Sequence, residues 1–387
     1  MTEIAFRAQA PVRSETASVE DWWRSVDRWS LGAIFALAVA GLVLGLAASP
    51  PLAEKNGLWT YHYVIRQVVF SGLALAIAVA LSMASPVSVR RIGVLLFLAS
   101  AVAVALLPAF GTDFGKGAVR WFSLGFASVQ PSEFLKPGFV LMAAWLMAGA
   151  KETDGPPGRV LSGLLAVTLA AMLAMQPDYG QAALLVAVWS AMLFVSGAPI
   201  WLLPGLGLAI GLAGTAAYLN SSHFASRIDG YLQGAVDPRT QLAYAESAIR
   251  EGGLFGVGAA AGSVKWTLPD AHTDFIIAVA AEEFGLLLTL VIIGLFLFIT
   301  IRALGRLLAI EDPFLRLGGT GLAVLFGLQA FVNFSVAIRL LPAKGMTLPF
   351  VSYGGSSVIA SALALGALLA LTRSRPANPG ALLRRRL

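Results

Sequence analysis

The sequence contains no cysteine and only three histidines, His62, His223 and His272. The first absence excludes disulfide frameworks, thiolate nucleophiles and cysteine-ligated metal sites. The wide separation of the three histidines argues against a histidine-rich zinc site. Charge is sparse as well: 12% of the 387 residues are charged, against about 25% in soluble globular domains, and that class is excluded. Apolar residues fill the chain instead, at 58% with a mean hydropathy of +0.79. The net charge of +6 fits basic loops on the cytoplasmic side of a membrane. It is weak evidence for nucleic acid, and no nucleic-acid partner is expected.

About twenty apolar residues cross a bilayer. Apolar stretches fall at roughly 31–48, 63–83, 92–110, 132–150, 160–176, 181–196, 200–219, 274–301, 317–338 and 351–372. They predict an all-α polytopic integral membrane protein with about ten transmembrane helices. From Tyr179 to Ser226 there is no Asp, Glu, Lys or Arg, and Gly197-Ala198-Pro199 divides that stretch in two. The runs lack the alternation of membrane-barrel strands. Ala47, Ala48 and Ser49 follow the first run as a cleavage site would, but Glu3, Glu15, Glu20 and Asp21 precede it. That is a poor n-region, so the first helix is retained.

Lysine and arginine counts set the direction. With both termini inside, sixteen of the 27 basic residues are cytoplasmic, nine lie outside, and Arg66 and Lys136 fall within spans. Both termini are therefore expected in the cytoplasm. The chain divides into a tail at 1–28, a membrane domain at 29–372 and a basic tail at 373–387, without internal repeats. The tails suit an anionic inner leaflet. The outer loop at about 220–273, between helices 7 and 8, carries the densest charge, and long loops in compact proteins are commonly functional. Work at the outer face is the expectation.

Five segments could carry chemistry. In the first, Arg120-Trp121 suits an interfacial belt, whereas Glu133 and Lys136 sit three apart on one helical face, where pairing lowers the cost of burial. In the second, Gln176-Pro177-Asp178 makes a turn whose Asp178 could cap the next helix. The third, Ser247 to Gly258, is glycine-rich but lacks the lysine and spacing of a P-loop. It reads as a re-entrant or interfacial segment packed on other backbone. The fourth brings Asp270, His272, Thr273 and Asp274 to the start of the eighth span, followed by Glu282 and Glu283. Threonine and aspartate there could be helix caps. Glu282 lies about 12 Å along a helix from Asp274 and cannot touch it, and acids this deep need partners or a water-lined cavity. The fifth, Pro342 to Ser357, is rich in proline, glycine and serine and includes Lys344 and Ser352. Irregular backbone at membrane depth is buried in protein or lines a wet cavity.

Taken in order, these segments resemble the SEDS family (shape, elongation, division and sporulation) over about residues 30–372. The resemblance rests on Arg120-Trp121 with Gln130-Pro131-Ser132-Glu133 and Lys136, the Gln176-Pro177-Asp178 turn, Ala271-His272-Thr273-Asp274-Phe275-Ile276 with Glu282-Glu283, and the ending from Lys344 to Ser357. Ala271 and the His223–Ile228 stretch are closer to the cell-division member than to the elongation member; Asp270, Ile277, Tyr244-Ala245 and the loop at 231–238 depart from the usual pattern. The resemblance implies a peptidoglycan glycosyltransferase that polymerises lipid II at the outer face, acts with a class B penicillin-binding transpeptidase and other division proteins, and uses no organic cofactor. It implies Asp274 as the catalytic carboxylate, as base or as ligand of a divalent cation (Mg or Mn). Arg120, Lys136 and Lys344 would meet leaving-group charge, and Trp121 would shape the sugar or lipid site. Glu133, Asp178, His272, Thr273 and Ser352 complete the expected substrate surface. A lipid II flippase and an ion-coupled transporter are the competing readings. The outer clustering of charge disfavours the first, and the lack of two related halves disfavours the second.

Overall fold

The computed structural model describes residues 19–113, 119–125, 127–150, 152, 154–232, 241–268, 270–342 and 345–374. The helices, in chain order, are α1 Val19–Ser25, α2 Arg28–Ala48, α3 Pro50–Lys55, α4 His62–Ser82 and α5 Pro86–Phe110. A short hairpin follows, β1 Phe122–Ser123 and β2 Ser128–Val129. Then come α6 Pro131–Gly149, α7 Gly158–Met175, α8 Tyr179–Val195, α9 Leu202–Asn220 and α10 Ser222–Leu232. The chain continues through α11 Gln241–Gly252, α12 Val264–Thr267, α13 Ile276–Leu307, α14 Pro313–Ala337 and α15 Gly355–Leu371.

A helix lies at each of the ten predicted apolar stretches. Six of them (α2, α4, α5, α7, α13 and α14) are long and apolar enough to cross a membrane, and α8 and α15 are apolar helices of 17 residues. Their starts follow local chemistry. Proline occupies the first turn of α5, α6 and α14, where its missing N–H costs nothing. The Ser85 and Asp312 side chains accept from Ser88 N and Leu315 N to cap α5 and α14. The antiparallel hairpin, with Phe122 opposite Val129, departs from the strand-free expectation and lies between α5 and α6.

Apolar side chains gain little by leaving lipid for protein, so helices in a membrane associate through close packing. Central α14 shows this: Gly318, Gly319, Gly321 and Ala323 are buried where it meets α13, α6, α15 and α8. Around it α4 pairs with α15, α5 with α6, α13 with α2, and α7 with α8. Helix α9 differs, packing mainly on α10 and burying none of its described side chains.

Helix α13 is broken at Gly285, whose φ of 80° and ψ of −178° no helix contains. The glycine-rich segment after α11 fills the break. Val257 N and Gly258 N donate to Glu282 O and Glu283 O, while Leu286 N donates to Gly253 O. Thr289 Oγ1 covers the Gly285 carbonyl, so the freed backbone stays satisfied inside the protein. A β-carbon on Gly285 would fall 2.4 Å from Leu254 O. This is the close backbone packing expected of that segment.

At the opposite end Arg302 bonds both Asp27 oxygens, at 2.9 and 2.6 Å. Burial works to raise the Asp27 carboxyl, but hydrogen bonds from Arg302 and Ser30 outweigh it and hold it below the usual carboxylate range.

Candidate functional site

Two turns meet beside the start of α13. Residues 270–275 form a tight turn in which Asp270, at φ 57°, accepts from Thr273 N and Asp274 N through its carbonyl. Aspartate tolerates this left-handed conformation better than most side chains. The helix N-cap is Phe275, so neither Thr273 nor Asp274 caps α13. The second turn, within 345–354, is stacked against the first, and three consecutive carbonyls of the first turn are held. Tyr353 N donates to His272 O at 2.9 Å, Ser352 Oγ to Thr273 O, and Asn333 Nδ2 to Asp274 O at 3.0 Å. Ser352 Oγ also accepts from Leu348 N, and Asn333 Nδ2 donates to Met346 O. Asp274 is half-buried and faces Gly345, where a β-carbon would sit 3.5 Å from Oδ2. Its carboxylate is neither sealed inside the bundle nor fully in solvent.

A second network lies within the bundle. Lys136 Nζ donates to both Glu133 oxygens at 2.9 Å and to Gln329 Oε1 at 3.1 Å. Gln181 Nε2 donates to Glu133 Oε1 at 2.8 Å. Gln329 Nε2 then reaches Thr347 O at 2.9 Å, joining this ion pair to the second turn. Gln329 and Asn333 are four apart on α14 and so share a face; one helix braces both networks. Arg120 Nε and Nη2 hold Gln176 O and Pro177 O. In that turn Asp178 occupies the N-cap position of α8, and burial pushes its carboxyl up against the opposing pull of Arg120.

The site expected from sequence is thus divided. Asp274, His272 and Thr273 lie half-buried on the two stacked turns, and Arg120 and Trp121 are half-buried at the hairpin. Glu133, Lys136, Asp178 and Ser352 are buried, with 3%, 3%, 4% and 1% exposure. Glu133, Lys136 and Ser352 bond neighbouring protein groups there, and Asp178 stands at the N-cap position of α8 without a side-chain capping bond. Lys344 lies outside the described residues. The deep acids prove to be partnered by protein, apart from Glu282 Oε2, which is buried without a hydrogen bond. Glu283 pairs with Lys265 and accepts from Ala260 N, and Glu282 accepts from Ser263 N and Val264 N. Gln181, Gln329 and Asn333 carry much of the bracing yet were not singled out from sequence. Their signal was a carboxamide inside an apolar span, which demands a partner.

For a divalent cation the fit is partial. Among the described residues no three His, Asp or Glu side chains converge, so Asp274 would be the chief protein ligand. That suits a magnesium-type ion, which takes one or two carboxylates and fills its shell with water and substrate phosphate.

The helical bundle and the polar turns at the start of α13 define a multi-pass membrane protein with a candidate site at one end. The FtsW/RodA/SpoVE cell cycle protein model matches residues 28–376, and the chain belongs to that family. A Caulobacter vibrioides protein named probable peptidoglycan glycosyltransferase FtsW is 38% identical, covering 95% of each chain. An Alkalilimnicola ehrlichii protein of the same name is 36% identical over 90% of this chain and 89% of the relative. Among solved structures, a chain of a peptidoglycan synthase complex aligns with TM-score 0.75 at 30% identity, over 90% of this chain and 98% of its own. The rod-shape-determining protein RodA of Thermus thermophilus aligns with TM-score 0.66 at 29% identity, over 90% and 97%.

Proposed function

We propose that the chain is a peptidoglycan glycosyltransferase that polymerises lipid II at the outer face of the cytoplasmic membrane, in septal wall synthesis. One observation carries this reading. Of the acids that enter the bundle region, Asp274 is half-buried on a braced outer turn, while Glu133, Glu282 and Glu283 are sealed by their own partners. Relatives named as such glycosyltransferases support it. In the reaction the 4-hydroxyl of the acceptor sugar attacks the anomeric carbon of the donor. The new glycosidic bond forms as the bond to pyrophosphate breaks, and undecaprenyl pyrophosphate leaves. Asp274 takes the hydroxyl proton. The carbonyl bonds from Tyr353, Ser352 and Asn333 fix the turn that aims it. Arg120 supplies positive charge near the outer hairpin. A magnesium or manganese ion on Asp274, when bound, would neutralise pyrophosphate charge. The synthase complex among the structural neighbours supports a class B penicillin-binding transpeptidase as partner.

Purified full-length protein with that partner, given labelled lipid II and Mg²⁺ or Mn²⁺, should yield glycan chains resolved on a gel. Lipid movement across vesicles with no polymer under any of these conditions would contradict the enzyme and support a flippase.

A further inference from the structure

Three aromatic rings from three separate segments meet beside the turn that carries Asp274. Tyr63 is the second residue of α4, His272 belongs to the 270–275 turn, and Tyr353 to the turn stacked on it. Their centroids are close: Tyr63–Tyr353 5.5 Å at 87°, His272–Tyr353 5.5 Å at 49°, and Tyr63–His272 6.2 Å at 38°. Such spacings are those of ordinary ring pairs. In a core, however, such rings would be buried, and all three here are half-buried. The cluster is also anchored. Tyr353 N donates to His272 O, and the Tyr63 hydroxyl accepts from Asn56 Nδ2 at 2.8 Å.

Half-buried rings adjoining a half-buried carboxylate suit a pyranose better than a lipid tail. The C–H-bearing face of a sugar lies on the π-cloud while its hydroxyls meet the polar rim. A hydrocarbon chain would have no use for that rim. We infer that Tyr63, His272 and Tyr353 form a stacking platform for a sugar ring of the lipid-linked substrate, with Tyr63 and Tyr353 as binding residues. The inference rests on the polymerase reading and names the surface on which its saccharide lies. The backbone bond between Tyr353 and His272 makes platform and Asp274 turn one rigid unit, so a sugar stacked there is presented to the carboxylate in a fixed pose.

The test separates sugar, carrier and chemistry. Binding of fluorescent lipid II, and of undecaprenyl pyrophosphate lacking sugar, is measured without turnover on full-length protein carrying Tyr63→Leu, Tyr353→Leu or the corresponding Phe changes. Each Leu change is expected to weaken lipid II binding, and to raise KM, by about tenfold, with kcat moved less than about threefold. The Phe variants should restore binding to within about twofold, because the ring and not the hydroxyl is what stacks. The sugar-free carrier should bind all variants alike, which also reports that they fold. Tyr63, at the end of a helix, provides the less packed position should Tyr353→Leu fail to fold. Leu variants that bind lipid II as wild type does, or that lose the sugar-free carrier in parallel, would overturn the platform. Ring-dependent lipid II binding with no polymer from wild type would instead support the platform and sink the polymerase reading.

Discussion

Acidic residues occupy two different settings in this molecule. At the turn before α13 Asp274 is half-buried, and its backbone carbonyl is held by Asn333 beside the neighbouring bonds from Ser352 and Tyr353. Inside the bundle it is the carboxylates themselves that are held: Glu133 by Lys136 and Gln181, Glu283 by Lys265 and Ala260 N, Glu282 by two backbone N–H groups. The difference teaches that an ionisable residue in an apolar chain does not by itself mark chemistry. A buried carboxylate bonded by its neighbours specifies structure. A half-buried one on a turn with a clamped backbone is placed to act on something else.

The sharpest way to break this division is to remove one partner of a sealed pair. Lys136→Ala leaves Glu133 charged and buried, and should cost about 3–5 kcal/mol, read as loss of folded protein or a large fall in melting temperature. A Lys136→Ala protein of wild-type stability would show that the interior is wetter than the fold implies. Gly285→Ala tests the clamp that orders Glu282 and Glu283. A side chain there must adopt φ 80° and meet Leu254 O, so destabilisation of about 1–3 kcal/mol in thermal unfolding is expected. Asn333→Leu sharpens the comparison, because it strips the Asp274 and Met346 carbonyls of their donor. A loss of about 1–3 kcal/mol should appear, together with a fall in kcat of about tenfold as the turn loosens. An unchanged kcat would mean that the turn is aimed by Ser352 and Tyr353 alone. The smallest effect belongs to a truly exposed pair. Arg24→Ala removes an i,i+4 contact to Glu20 in solvent and should leave both melting temperature and polymerisation at wild-type values.

Much of this was legible from residues alone. The apolar runs are long enough that a helix was expected at each of the ten where one lies, whereas the short α1, α3, α10, α11 and α12 fall outside them; the loaded loops stood out because charge is scarce elsewhere. The short hairpin escaped notice because Phe122–Ser123 and Ser128–Val129 are too brief to show a period. Glu133 and Lys136 were correctly paired by their spacing, but their burial depends on Gln181 and Gln329, distant in sequence. Lys265 reaching Glu283 and the glycine segment filling the break at Gly285 are likewise tertiary facts. Local spacing ranks Asp274 and Glu283 alike; only packing tells which one is sealed.

The central claim, that Asp274 acts on substrate while the buried acids hold the fold, is tested most directly by Asp274→Asn. The change keeps size and backbone bonding and removes only the charge and the proton acceptor. Polymerisation of lipid II should fall by about 10²–10⁴-fold, with the melting temperature and lipid II binding retained. An Asn variant that polymerises within about threefold of wild type would contradict the account and return Asp274 to a structural part of its turn.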